Sequence, residues 1–368
     1  MYKDEVIQMD SIKIAHIADA HLGCAFADLD KKKSALRRQE IKLSFANAIK
    51  IALEHNVQAI LIAGDIFDNG YVDKETVTFV KNTLNQTNVP VLIAPGNHDP
   101  YTMGIYASLR DGLNTNITIF ENTISKVSID NVNIYGFGFD KDVMDSSALS
   151  EFIADDDDIN IMVLHAGGIY NPITDEEIKN SNLSYLALGH THNFTGVKKL
   201  NNTYYAYCGT HDGHGFDECG EKGILIGDVS KIKAEMQFVP TSSRIYKTVE
   251  MDVSSYQTVD DIISTAKKHI DSTENLYKFV LTGRISSDIS IDTDMIASVL
   301  SNNAFYTEVK NKTSPSFDLN ELSKDYSLKG VVAKNLIAEF EKVQTAEEKE
   351  LLDAVSALLI TSIEGGRE

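Results

Sequence analysis

Three apolar runs of strand length, Ile12–Ala18, Ala59–Ala63 and Val89–Ala94, each break off into a polar cluster, with helix-length segments between them. Short continuous apolar runs are buried on both faces, as in the interior of a parallel sheet. Leu36–Glu54 carries Ile41, Phe45, Ile49 and Leu53 four apart, which gives one apolar helical face, and Lys74–Leu84 predicts a second helix. The βαβαβ order predicts an α/β fold with a parallel sheet and helices on its faces. In such sheets the loops beyond the strand carboxyl ends gather in one place.

Five motifs stand at these and later strand ends. They are Asp19-Ala20-His21, Gly64-Asp65-Ile66-Phe67-Asp68, Gly96-Asn97-His98-Asp99, His165, and Gly189-His190-Thr191-His192. Asp19 and His21 alternate along what reads as an extended chain, so both face one side. Asp65 can bridge two cations through its two oxygens, and Asn97 offers a neutral amide oxygen. One metal would be held by Asp19, His21, Asp65 and His192, and a second by Asp65, Asn97, His165 and His190. Mixed oxygen and imidazole donors suit manganese, iron or zinc better than calcium or copper(I). Two such ions lower the pKa of a bridging water and serve in-line attack on a phosphate ester. His98 is not needed as a ligand and can act as general acid on the leaving oxygen. Asp99 is placed to hold the other ring nitrogen of His98. His16, His55 and His269 read as structural.

Weaker strand signals follow at Ile117–Phe120, Ile124–Ile129, Val132–Phe137, Ile159–Leu164 and Leu183–Leu188. Tyr204–Tyr207, Gly223–Val229 and Ala234–Val239 look antiparallel, which implies a second sheet packed on the first. The catalytic domain so defined covers residues 1–240. Pro240-Thr241-Ser242-Ser243 marks a boundary, and residues 241–315 read as a small α+β domain. Residues 316–368 read as a helical tail, with two amphipathic helices from Ser327 to Ile363 meeting at a capping box of Thr345 and Glu348.

The formal net charge of −20 argues against a protein that grips nucleic acid alone, since binding usually neutralises phosphates with a basic surface. The one dense basic cluster is Lys31, Lys32, Lys33, Arg37 and Arg38; it reads as a solvated face, or as a phosphate-contacting edge. Asp155–Asp158 reads as a solvated loop. Cys24, Cys208 and Cys219 show no paired spacing, so reduced thiols in the cytoplasm are expected. Met1 to Asp10 holds no apolar segment, and no run nears the ~20 apolar residues that span a bilayer. No membrane association is expected.

The text HIADAHLG from His16, RRQEIKLSFANAIKIALEHNVQAILIAGDIFD from Arg37, LIAPGNHD from Leu92, VLHAG from Val163 and YLALGHTH from Tyr185 carries a family resemblance. YCGT from Tyr207 and GFDECGEKG from Gly215 extend it. The chain resembles the calcineurin-like metallophosphoesterases, and more narrowly the SbcD-type and YhaO-type bacterial nucleases related to the break-repair nuclease of archaea and eukaryotes. The resemblance implies a four-layer αββα sandwich with a cap domain after residue 240. It also implies manganese-supported DNA cleavage, with the seven ligands and His98 in the roles above, and an SbcC-type coiled-coil ATPase as partner. A homodimer is compatible with it. Asp68 stands where the archaeal and eukaryotic relatives carry histidine, so it is expected to support the ligands instead. His211 and His214 read as incidental to a Gly-rich loop, or as a substrate-contacting rim. Two other function classes stay open: a phosphomonoesterase or cyclic-nucleotide phosphodiesterase working alone, and a non-catalytic scaffold.

Overall fold

The computed structural model describes residues 10–68, 72–144, 146–155 and 157–365. Met1–Met9 of the stretch read as lacking an apolar segment, Asp156 of the acidic run and the last three residues of the tail lie outside the described residues. The chain divides between Ile245 and Tyr246 into two compact units.

In the first unit the three apolar runs become β1 (Ile12–Ile17), β2 (Ala59–Ile62) and β3 (Val91–Ile93), paired in parallel, and β4 (Ile117–Ile119) adds to β3. Between and after them lie α1 (Lys31–Glu54), α2 (Lys74–Asn85) and α3 (Gly104–Arg110). Helix α1 starts at Lys31 rather than Leu36, because the Asp30 carboxylate caps it by accepting from the Lys32 and Lys33 amides, each at 2.9 Å. The basic cluster therefore sits on the first turns of a helix.

The second sheet contains β5 (Ser125–Ile129), β6 (Val132–Phe137), β7 (Ile159–His165), β8 (Tyr185–Gly189), β9 (Lys198–Leu200) and β10 (Thr203–Tyr207), in the order β5-β6-β7-β8-β10-β9. The short helix α4 (Asp175–Asn180) precedes β8. Strand β10 was expected to be antiparallel; it runs parallel to β8 and antiparallel only to the edge strand β9. The hairpin of β11 (Gly223–Val229) and β12 (Ala234–Pro240) is antiparallel as expected, but it does not join the second sheet. It extends the first, with Ile12 opposite Val229 and His16 opposite Leu225. The edge of β1 left open by β2 is thereby paired, and an unpaired buried edge would leave backbone groups unsatisfied.

Alternation along the strands makes four layers. Ala15, Ile17, Ile60 and Ile62 face Phe45, Ile49, Val80 and Leu84 of the helices. Ile14, Leu61 and Leu92 face Ile134, Ile161 and Ala187 of the second sheet. Met162, Leu164 and Leu186 pack under Ile178 of α4 on the far side. His16, buried between the sheets, bonds the Tyr185 hydroxyl at 3.0 Å and the Leu188 carbonyl at 3.2 Å. Burial pushes its pKa down to about 3.

The second unit holds a parallel sheet of β13 (Tyr246–Asp252), β14 (Leu276–Thr282) and β16 (Tyr306–Asn311), with α5 (Val259–Lys268) and α6 (Thr293–Leu300). A two-stranded pair joins β15 (Arg284–Ser286) to β17 (Ser314–Ser316). After α7 (Leu319–Leu322) come α8 (Leu328–Phe340) and α9 (Ala346–Gly365). Glu348 accepts from the Thr345 amide at 3.1 Å and the Thr345 hydroxyl accepts from the Glu348 amide at 3.1 Å, so the capping box starts α9. Helix α9 is tied to β15 by Asp353 and Arg284 at 2.5 Å, and Ile360 is buried. Among the described residues no helix is long and apolar enough to cross a membrane.

Candidate metal centre

The loops after β1 and β2 run side by side. The amides of Asp19, His21 and Leu22 donate to the carbonyls of Gly64, Asp65 and Ile66 at 2.8–3.0 Å. Asp19, His21 and Asp65 adopt φ of 51°, 42° and 50°, so Asp19 and His21 do not share a face by alternating along an extended chain, as the sequence suggested. Left-handed turns aim them instead. Such backbone is costly outside glycine and clusters at functional sites. The approach of the loops also requires glycines. A Cβ on Gly64 would stand 2.5 Å from His165 Nδ1, and one on Gly96 would stand 2.1 Å from Asp65 Oδ1.

These turns bring the expected residues to one end of the sheets. Asp19, His21, Asp65, Asn97 and His165 are all buried. Among the described residues, imidazole and carboxylate donors within 4.8 Å of one another form three overlapping groups: Asp19–His21–His192, Asp19–Asp65–His165 and His21–Asp68–His98. Asp65 Oδ2 lies 3.3 Å from His165 Nε2 and 3.7 Å from His21 Nε2, so it stands between the first two groups. His190 is outside these groups. Its amide donates to Asp19 Oδ1 at 2.9 Å, and its ring meets His165 edge-on, with centroids 5.4 Å apart.

Proton placement tests whether the site fits cations. His165 Nδ1 lies 2.9 Å from the Ala63 carbonyl, which can only accept, so Nδ1 carries the hydrogen. Nε2 then presents a lone pair, yet its neighbours are Asn97 Oδ1 at 2.9 Å and Asp65 Oδ2 at 3.3 Å, also acceptors. His192 Nδ1 faces Glu218 Oε1 at 2.5 Å, which leaves His192 Nε2 against His21 Nε2 at 3.1 Å. The lone pairs of His165, Asn97 and Asp65, converging without a hydrogen between them, fit a cation. At His192, without a cation, the electrostatics place a proton instead, which a bound ion would have to displace. Burial opposes charge on His192, but the bond to Glu218 and the nearby Asp19 push its pKa up to about 9. Burial raises Asp65, yet His165, His21 and His98 outweigh it and hold the carboxyl below its usual range.

The partner expected for His98 is different. The Asp99 carboxylate turns inward and accepts from the Gly96 amide at 2.8 Å, the Phe67 amide at 3.1 Å and the Tyr106 hydroxyl at 3.0 Å. It ties the β2 and β3 loops together and does not hold His98. Burial, then Asp65, pushes its pKa up to about 7. Asp68 takes the expected place, with Oδ1 3.3 Å from His98 Nδ1 and 3.7 Å from His21 Nδ1. The nearness of Asp68 raises the His98 pKa against the opposing effect of burial.

Two features were not foreseen. Arg37, read with the basic cluster as solvent-facing or phosphate-contacting, is fully buried and bonded to Asp212 at 3.0 Å and Glu40 at 2.8 Å. Glu218 is buried beside His192 and His214. The sequence carried no signal for Glu218, because i, i+4 spacing implies contact only in a helix and this segment is a loop.

Residues 12–194 match the calcineurin-like phosphoesterase family. The chain is 27% identical over 325 residues to the DNA double-strand break repair protein Mre11 of Thermoplasma acidophilum, covering 82% of this chain and 84% of that one. It is 24% identical to the uncharacterized metallophosphoesterase YhaO of Bacillus subtilis, over 71% of this chain and 69% of the relative. A subunit of the SbcCD nuclease from Staphylococcus saprophyticus is 26% identical, over 62% of this chain and 69% of its own length.

Proposed function

From the premise that the chain carries a calcineurin-like metallophosphoesterase domain, and is a metal-dependent hydrolase of phosphoester bonds, we propose that it is a dinuclear-metal nuclease acting on DNA. One cation would be held by Asp19, His21, Asp65 and His192, the other by Asp65, Asn97, His165 and His190, with manganese as the metal. The observation that carries this is the convergence of His165 Nε2, Asn97 Oδ1 and Asp65 Oδ2 with no hydrogen between them, beside His21 Nε2 and His192 Nε2 3.1 Å apart. Bound cations supply charge that acidifies a water and draws in a phosphate ester.

The chain's own groups do the remaining work. Asp68 faces His98 on its Nδ1 side, 3.3 Å away, so Nε2 is the nitrogen left to pass a proton to the leaving oxygen. Asp99 keeps the Gly96–Asn97 turn against the β2 loop through its bonds to the Gly96 and Phe67 amides. Asp19, buried and bonded to the His190 amide, orients the last loop.

The names of the relatives support DNA as substrate, and one of them is a nuclease subunit. We assign the basic surface that a chain of net charge −20 lacks to a partner, an SbcC-type coiled-coil ATPase. The exposed Leu351, Val355 and Leu358 on α9 are the face assigned to it. Leu351→Asp with Leu358→Asp should abolish co-purification with the ATPase and spare hydrolysis of a small diester; retained binding rejects that face. The acidic balance also favours a second reading, a stand-alone phosphatase or cyclic-nucleotide phosphodiesterase on small substrates.

A manganese-dependent assay on linear duplex DNA, bis-p-nitrophenyl phosphate and p-nitrophenyl phosphate separates the two. Cleavage of the diester and of DNA supports the nuclease. Turnover of the monoester alone rejects it and leaves the phosphoesterase.

A further inference from the structure

The loop after β10 holds a carboxylate that the chemistry above does not use. Glu218 is buried, with Oε1 2.5 Å from His192 Nδ1. Its other oxygen, Oε2, accepts from the His214 amide at 2.8 Å and lies 3.2 Å from His214 Nδ1. The far side of that imidazole, Nε2, lies 3.2 Å from the carbonyl of Ala20, the residue between Asp19 and His21. Phe26 stacks on the His214 ring at 15°, with centroids 6.2 Å apart. One carboxylate thus reaches both loops of the first cation position: His192 directly, and the Asp19–His21 turn through His214.

The start of this loop is also anchored. Asp212 is clamped to Arg37, and the Glu218 amide donates to the Gly215 carbonyl at 3.1 Å. Glu218 is therefore held before any ligand arrives. A carboxylate behind a coordinating imidazole fixes which nitrogen carries the proton and where the ring points. The two ring nitrogens of His192 are not equivalent. Only the neutral ring with its hydrogen on Nδ1 offers an Nε2 lone pair on the side of His21 Nε2, 3.1 Å away.

We propose that Glu218 is the positioning residue of the first metal position, which it serves by fixing His192 with Nδ1 protonated and Nε2 free to coordinate, and by bracing the Asp19–His21 turn through His214. The proposal rests on the two-metal reading above. It gives His214 a role as a strut, which is neither incidental to the loop nor a substrate-contacting rim.

The test uses the full chain. Zinc is titrated calorimetrically into metal-free wild type and Glu218→Gln, with melting temperatures measured alongside. Gln keeps the shape but cannot accept from both imidazoles with one charge. One of two zinc equivalents should weaken by about 10- to 100-fold, the usual effect of losing such a carboxylate, while the other is unchanged. Equal affinities in the two proteins overturn the proposal. Loss of both equivalents together with a lowered melting temperature marks a role in folding alone and also overturns it. A wild type that takes up fewer than two equivalents overturns the two-metal reading itself, and this proposal with it. Long-range 1H–15N spectra of the zinc-loaded wild type decide independently of whether the variant folds. A His192 coordinated through Nε2 with Nδ1–H supports the proposal, and coordination through Nδ1 rejects it.

Discussion

Replacing Arg37 with Met should destabilise the first unit by about 3 kcal/mol. The guanidinium is fully buried and bonds Glu40 Oε2 and Ser243 Oγ at 2.8 Å, and Asp212 Oδ1 and the Gly213 carbonyl at 3.0 Å. Met matches its length, so little volume is lost. Glu40 keeps a cation, since Arg244 Nη2 lies 2.7 Å from its Oε1. Asp212 does not. It retains the Gly213 amide at 2.9 Å, the Ser243 amide at 2.8 Å and the Ser243 hydroxyl at 2.6 Å, but as a buried anion facing no charge. Breaking a buried ion pair from one side costs about 3–5 kcal/mol, and the surviving donors put this case at the low end, about 3. For a unit of this size each kcal/mol moves the midpoint by roughly 2–4 °C, so a fall of about 6–12 °C is expected. The chain has no Trp and two compact units, so differential scanning calorimetry is the suitable assay. Adding Asp212→Asn removes the stranded charge and should restore at least about 1 kcal/mol. A single variant within about 1 kcal/mol of wild type, or a double variant no more stable than the single, would refute the reasoning.

Other expectations follow from the same geometry. His98→Ala should keep both metal equivalents, cut DNA cleavage by ~10²-fold or more, and cut hydrolysis of bis-p-nitrophenyl phosphate much less, because p-nitrophenolate needs little protonation; metal loss in elemental analysis would make His98 a ligand. Gly96→Ala sets a Cβ 2.1 Å from Asp65 Oδ1, so zinc affinity should fall at least about tenfold with a stability loss of about 1–3 kcal/mol; unchanged calorimetric binding contradicts it. His16 has its pKa lowered from 6.5 to about 3, so its contribution to stability is complete above pH 6.5 and lost progressively as pH falls toward about 3. Between pH 7.5 and pH 5, urea unfolding of wild type should lose about 2 kcal/mol more than that of His16→Asn, and parallel pH profiles would remove His16 as the cause.

What the sequence made legible was local. Apolar runs located β1 to β3, and the motifs at their ends named residues that the fold gathers at one pole. Partner choice between distant strands was not legible. Nothing in Gly223–Val229 says that its neighbour is Ile12–Ile17 rather than the strands just before it, since either edge accepts an apolar strand. Arg37 was misjudged for the same reason: its chief anion, Asp212, is 175 residues away, so a basic run read as solvent-facing. Asp68 rather than Asp99 faces His98, because adjacency to His98 says nothing of side-chain direction in a tight turn. The left-handed backbone of Asp19, His21 and Asp65 had no sequence signal, as none of them is glycine.

The return of β11 to the flank of β1 bears on how the chain is made. Strand β1 is the first of its sheet to be made, and its antiparallel neighbour follows about 200 residues later. At roughly 5–20 residues per second that delay is on the order of 10–40 s. Throughout it, an apolar strand shows an open hydrogen-bonding edge, which is a template for pairing with other chains. His192 emerges before β11, so the groups proposed as ligands are all outside the ribosome while the sheet beneath them is still incomplete. Expression at lower temperature or with holdase chaperones should therefore raise soluble yield more than stabilising the finished protein does. A fragment ending before Gly223 should aggregate even though it contains every motif from Asp19 to His192.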